Sequence, residues 1–208
     1  MTNPLLTKWT TPFEFPPFSL INDNHFDEAF NHAIKEAEDK FDKISKNQSP
    51  ATFENTIEEM EKADYLLNLV SSVFYNLVGT DSNDVRKSLQ SKLSPVLAQF
   101  NSRILTNNSL WMRISHVYKN RLLTNLNEEQ VRVAELYYQM FKRSGAKLNS
   151  KNKSRYTEIM SRLAEIGTEF SQNLLAAEGN WTLSLKESEV EELPNFLKTS
   201  MAQAASDR

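Results

Sequence analysis

Three histidines and no cysteine are the strong metal ligands this chain offers, at His25, His32 and His116. His25 and His32 stand in HFDEAFNH, seven residues apart, which on a helix is about two turns and brings them close to one face. A shared metal ion is the chemical reading of that pair. Two imidazoles reach one ion directly at a spacing of i and i+4, however, and no His-Glu-x-x-His occurs. All three read more simply as polar histidines at a surface or an interface. Carboxylates gather at Glu58, Glu59 and Glu61 and again at Glu187, Glu189, Glu191 and Glu192. Acid pairs do general acid and base work when burial drives their pKa values apart, but these runs lie on faces opposite apolar stripes and read as solvated surface. A basic run of Lys142, Arg143, Lys147, Lys151, Lys153 and Arg155 surrounds the loop SGAKLNSKNKSR. Nucleic-acid contact would need aromatics interleaved for stacking, and the loop has none. Glycine-rich phosphate loops and a Gly-x-Ser-x-Gly elbow are absent. No catalytic, cofactor-binding or metal-binding residue is therefore assigned.

The elements that would position such residues follow from composition and periodicity. With 208 residues, 39% hydrophobic and 25% charged, the chain can bury a core without metal or disulfide support. Four glycines leave few places for tight turns, which favours long helices over many short strands. A formal net charge of -3 gives no general attraction to phosphate backbones or anionic lipid, so neither nucleic acid nor membrane is an expected partner. The start, MTNPLLTKWT, lacks the charged and apolar regions of a secretion signal, and no run reaches the roughly 18 apolar residues that span a bilayer. A cytoplasmic location is expected. The glycosylation-like triplets at Asn107, Asn152 and Asn180 are then chance matches.

The predicted fold class is all-α, a bundle of long antiparallel helices with one short orphan strand near the carboxyl end. Residues 1–22 form an extended arm, 23–179 the helical domain, and 180–208 a strand and short helices. In the arm, TPFEFPPFSL has too many prolines for a helix; Phe13, Phe15 and Phe18 are expected to anchor it across the helices. The first helix carries Phe26, Ala29, Phe30, Ala33, Ile34, Ala37, Phe41 and Ile44 at steps of three and four. SPATFENTIEEMEKADYLL, residues 49–67, opens with Pro50, a capping Thr52 and Glu54 at the positive end of the helix dipole. Its stripe continues to Leu77, which predicts one rod about 40 Å long ending at Gly79.

A third helix over 83–105 points Val85, Leu89, Val96, Phe100 and Ile104 inward and should kink or break at Pro95. A shorter helix runs from Ser109 to about Arg121. Asn127 caps the next, which ends near Gly145. The last long helix spans about Lys151 to Ala177, with Tyr156, Ile159, Leu163, Ile166, Phe170 and Leu174 inward. In NWTLSLK, residues 180–186, Trp181, Leu183 and Leu185 alternate with Thr182 and Ser184, the period of a half-buried strand. No second strand pattern occurs, so its partner is expected outside this chain.

Five stretches taken in order, NPLL at 3–6, PFEFPPFSLI at 12–21, PATFENTIEEMEKA at 50–63, RSGAKLNSKNKSRYTEI at 143–159 and EFSQNLL at 169–175, resemble the amino-terminal part of the thimet-oligopeptidase-like zinc metallopeptidases. Within that family they are most similar to the bacterial branch of peptidyl-dipeptidase (dipeptidyl carboxypeptidase) and oligopeptidase A. The resemblance implies a long, nearly all-helical cytosolic enzyme in two halves around a deep channel. It also implies a His-Glu-x-x-His helix with a downstream Glu holding zinc, the first Glu activating the zinc-bound water. Those elements would lie beyond Arg208, so the chain itself is expected to bind no zinc and to be inactive alone. Its long rods would form a channel wall that admits short peptides and limits substrate size. Its expected partners are short peptides and the catalytic remainder of the same polypeptide. The alternative is a stand-alone helical protein-interaction module without enzymatic activity.

Overall fold

Helix α1, Asn24–Lys46, carries the apolar stripe about which the core forms, and all eight residues of its expected inward face are buried. The computed structural model describes residues 2–206. Before α1, Asn3 fixes the start of the chain. Its side chain accepts from the Leu5 amide at 3.0 Å, and its amide nitrogen donates to the His25 carbonyl at 2.9 Å and to Glu28 at 3.0 Å. The 3-10 turn Pro4–Leu6 that follows buries Leu5 against the core. The aromatic part of the arm is different. Phe13 is fully exposed with φ 58°, Phe15 and Leu20 are exposed, and Phe18 is marginally so. The three phenylalanines therefore do not anchor the arm: a second 3-10 turn, Pro12–Glu14, turns Phe13 out, and Phe15 and Phe18 pack edge-on against each other at 5.8 Å.

The rod expected from residue 52 to 79 is interrupted. Thr52 and Asn55 form a reciprocal capping box, and the first segment, Phe53–Glu58, is a π-helix. It leads into a short α2, Glu59–Ala63, and the helix breaks at Asp64 (φ −103°, ψ 16°) before α3, Tyr65–Thr80. Asp64 belongs to the residues that favour caps over helix interiors, and its carbonyl accepts from the Asn68 amide at 2.9 Å to restart the ladder. Phe74 on α3 meets Phe26 and Phe30 of α1 edge-on, with centroids at 5.1 and 5.4 Å, a favoured geometry for buried rings.

Helix α4, Asp84–Leu105, is capped by Asn83 and runs through Pro95 without a break. Proline removes one donor and leaves the other bonds of the helix to hold it. The start of α4 is tied to the start of α1: Asp23 accepts from Arg86 Nε at 2.6 Å and from Asn83 at 2.7 Å. Helix α5, Asn108–Asn120, is capped by Asn107, and α6, Glu128–Arg143, by an Asn127–Gln130 box. Gly145 at φ 85° lets the Ala146 amide return to the Phe141 carbonyl at 3.1 Å, a closure that suits glycine.

Helix α7, Ser150–Asn180, follows. Most of its expected inward stripe faces out: Ile159, Leu163, Ile166, Phe170 and Leu174 are exposed, Tyr156 is half-buried, and the buried residues are Ser161 and Thr168. The chain divides into two compact units, Met1–Phe170 and Ser171–Arg208. In the second, α8, Glu187–Val190, and α9, Asn195–Ser206, follow the end of α7, and no described side chain is buried. The orphan strand is not present. Residues 181–186 have no regular structure, and among the described residues there is no strand at all. Alternation alone does not make a strand where no ladder partner exists.

Candidate functional site

The structure separates the residues that could have done chemistry. His25 sits in the first turn of α1, where its Nδ1 accepts from the Asn22 amide at 3.2 Å. His32, with its side chain 58% exposed, lies 3.7 Å from Glu36, and His116 lies on α5. Among the described residues, no three His, Asp or Glu side chains come together as a metal site. Glu58 and Glu59 pair with Lys62 at 2.8 and 3.4 Å. Glu61 accepts from Tyr137 Oη at 2.5 Å, and burial followed by this bond pushes the Tyr137 phenol up. Glu189 caps the Lys186 amide at 2.7 Å, Glu191 and Glu192 are exposed, and the Glu187 side chain lies outside the described residues. Of the basic run, Lys142, Arg143, Lys147, Lys151 and Arg155 are exposed and Lys153 is half-buried. Lys153 Nζ donates to the Thr106 carbonyl and Asn108 Oδ1, both at 2.5 Å, and burial pushes it down.

What the fold does assemble is a clamp around the π-helix. Residues Leu110, Arg113, Ile114 and Val117 occupy the inward face of α5, so Arg113 is carried into the interior and is 8% exposed as a residue. Nη1 donates to the carbonyls of Asn47 and Ser49 at 2.8 and 3.0 Å, and Nη2 to Asn55 Oδ1 at 2.6 Å and Thr56 Oγ1 at 3.1 Å. The acceptors are carbonyls, an amide and a hydroxyl rather than a carboxylate. Burial accordingly pushes the guanidinium down, while Nε has no partner. Five fixed donors in one plane let arginine gather a loop in this way. Residues 47–56 are thereby held against α5, with Thr52 and Asn55 already locked in their box.

Beside the clamp lies a cleft of about 420 Å³. Phe53, Val117, Leu123 and Leu126 give it an apolar lining, with hydrogen-bonding groups at Thr52, His116 and Asn120. Hydrogen bonds from its own amide and from Thr52 hold the Glu54 carboxyl at the rim below the usual range. Cleavage needs a nucleophile, a base and an orienting group in mutual reach; the His116 carbonyl accepts from Asn120 Nδ2 at 2.9 Å. Across α5 and α6, Tyr138 stacks on Trp111 at 5.0 Å and on Tyr118 at 4.0 Å, and Arg121 lies over the Tyr118 ring at 4.0 Å.

Arg113 and this aromatic stack escape reading from the sequence. The available signal was register: position 113 falls at i+3 from Leu110 and i+4 before Val117, where a charge must either be satisfied inside or disrupt the face.

No protein-family model matches the chain. Curated relatives do match it. Dipeptidyl carboxypeptidase from Escherichia coli is 30% identical over 203 residues, which cover 98% of this chain and 30% of the relative. The Salmonella typhimurium protein of the same name is 30% identical over 176 residues, 85% of this chain and 26% of the relative. Oligopeptidase A from Escherichia coli is 28% identical over 206 residues, again 98% and 30%. The chain thus spans between 26% and 30% of the length of these curated relatives.

Proposed function

The chain is related over nearly its whole length to the dipeptidyl carboxypeptidase and oligopeptidase A peptidases, and we propose on that footing that it is the non-catalytic helical part of a longer zinc peptidase. In this reading the parent hydrolyses short peptides, releasing carboxyl-terminal dipeptides, and the helices described above form a wall of the channel that limits substrate size. The observation that carries it is the pair of coverages, 98% of the chain against 30% of the relative. Stiffness suits the role: at 1.5 Å per residue α1 and α4 are each about 35 Å long, and each is fixed at its start by side-chain bonds. The zinc of such an enzyme does not fit this chain. Among the described residues His25 is engaged by Asn22, His32 faces Glu36, and His116 lies on α5; in this reading the metal and the water it activates belong to the part of the parent outside the matched region.

The test is to assay peptides with a blocked amino end and a free carboxyl-terminal dipeptide. The purified chain should release no dipeptide with or without added zinc. The Escherichia coli dipeptidyl carboxypeptidase lacking its matched 203 residues should also be inactive, and replacing the missing part with this chain should restore cleavage. Zinc-dependent release by the isolated chain would overturn the proposal.

A further inference from the structure

Helix α7 presents its faces the wrong way round for a solvent-facing helix. Ile159, Leu163, Ile166 and Phe170 recur at steps of four, three and four, which line one face, yet they are 43%, 56%, 45% and 67% exposed. The residues buried on the other side are Ser161 and Thr168. Thr168 Oγ1 lies 2.5 Å from Ser94 Oγ on α4, and the buried hydroxyl of Ser161 has no partner. A helix whose inner side buries only two hydroxyl residues, with Met160 and Ala164 half-buried beside them, and whose larger apolar face is turned to water forgoes much of the burial that normally stabilises helices. None of the Ile159, Leu163, Ile166 and Phe170 side chains is charged, and the arginines on the same helix are paired, Arg155 with Glu158 at 3.0 Å and Arg162 with Glu165 at 2.8 Å. What remains is an uncharged apolar strip, the character of surfaces buried in permanent contacts rather than transient ones.

We propose that the Ile159, Leu163, Ile166 and Phe170 face of α7 is the packing surface for the polypeptide that, in the relatives, lies outside the matched region, so that α7 is an internal helix of the complete enzyme. This rests on the reading of the chain as one part of a longer peptidase. The matched region is 30% of the Escherichia coli relative, so more than two thirds of that polypeptide is there to supply the cover. A neutral strip four residues long on a helix already seated on its polar side fits a folded apolar partner of that kind.

The absence of cysteine from the chain makes the test clean. Leu163→Cys and Phe170→Cys are compared with Lys46→Cys, a control whose parent side chain is 74% exposed. A thiol reagent is applied to the chain alone and to the chain joined to the remainder of Escherichia coli dipeptidyl carboxypeptidase, with labelling read by peptide mapping. In the chain alone all three positions should label at similar rates. In the joined protein positions 163 and 170 should slow by about tenfold or more while position 46 does not change. Unchanged labelling in a joined protein that cleaves peptides overturns this inference and leaves the peptidase reading standing; a folded joined protein that shows protection but no cleavage counts against the peptidase reading instead. Protection in the chain alone that grows with concentration would assign the strip to a second copy and also overturn the inference. Should the joined protein not fold, cysteines at the aligned positions of the intact relative decide the matter: slow labelling supports the inference and fast labelling refutes it.

Discussion

Helix α1 buries Phe26, Phe30, Ala33, Ala37, Phe41 and Ile44, whereas α7 leaves Ile159, Leu163, Ile166 and Phe170 in water, although both stripes advance by threes and fours. The difference is one of neighbours. Helix α1 is flanked by α2, α3 and α5 and by the Pro4–Leu6 turn, each contributing apolar side chains, while α7 meets α4 through Ser94 and Thr168. Periodicity states that a helix has an apolar face; it does not state which element covers that face.

The contrast is tested most severely by truncating matched rings. Phe30→Ala empties a fully buried site edge-on to Phe74 and should cost about 3–5 kcal/mol in urea unfolding. Next in size is Arg113→Met, which keeps the bulk of the stem but strands the carbonyls of Asn47 and Ser49; a loss of about 3 kcal/mol is expected by the same measurement. Asn127→Ala removes one side of the α6 capping box and should cost about 1 kcal/mol, seen as a modest fall in Tm.

A pH effect, silent near neutrality, comes from Tyr137. Its folded pKa is raised by burial and by the bond to Glu61, so its stabilisation is complete below the unfolded value of about 10 and is lost as the pH climbs toward the folded one. Tyr137→Phe should flatten the alkaline fall in stability above about pH 10, measured by unfolding at a series of pH values. Smallest of all is Phe170→Ala, which should change the stability of the isolated chain by less than about 0.5 kcal/mol. A large loss there would erase the distinction between the two helices.

Much of the helical framework is legible in the residues themselves. The α1 stripe needs no tertiary knowledge, because phenylalanine, alanine and isoleucine recur on one face and charges fill the rest. Asn127 announces α6, and Thr52 opens the helix after it, because short polar side chains satisfy amides that the helix leaves free. The break at Asp64 was masked by an apolar stripe that runs on through it from Met60 to Leu67. In α4 the expected Val85 and Val96 are exposed and Leu93 is buried instead, since a face interrupted by Lys92, Ser94 and Pro95 has no sharp orientation. The Trp181 to Lys186 alternation reads as a strand locally, but sheet structure is non-local and the described residues include no second strand to pair with it. Of the candidate site, His116 lines the cleft, while Arg113 was hidden by its charge, which ordinarily marks a surface residue.

The face-to-face rings of Tyr118 and Tyr138, with Trp111 next to Tyr138, have an optical consequence. Chromophores held this close in a fixed, chiral arrangement lend their absorption bands a strong handed signal in the near ultraviolet. Two helices of this protein therefore carry their own built-in gauge: light alone reports whether α5 and α6 remain in register, with no label attached.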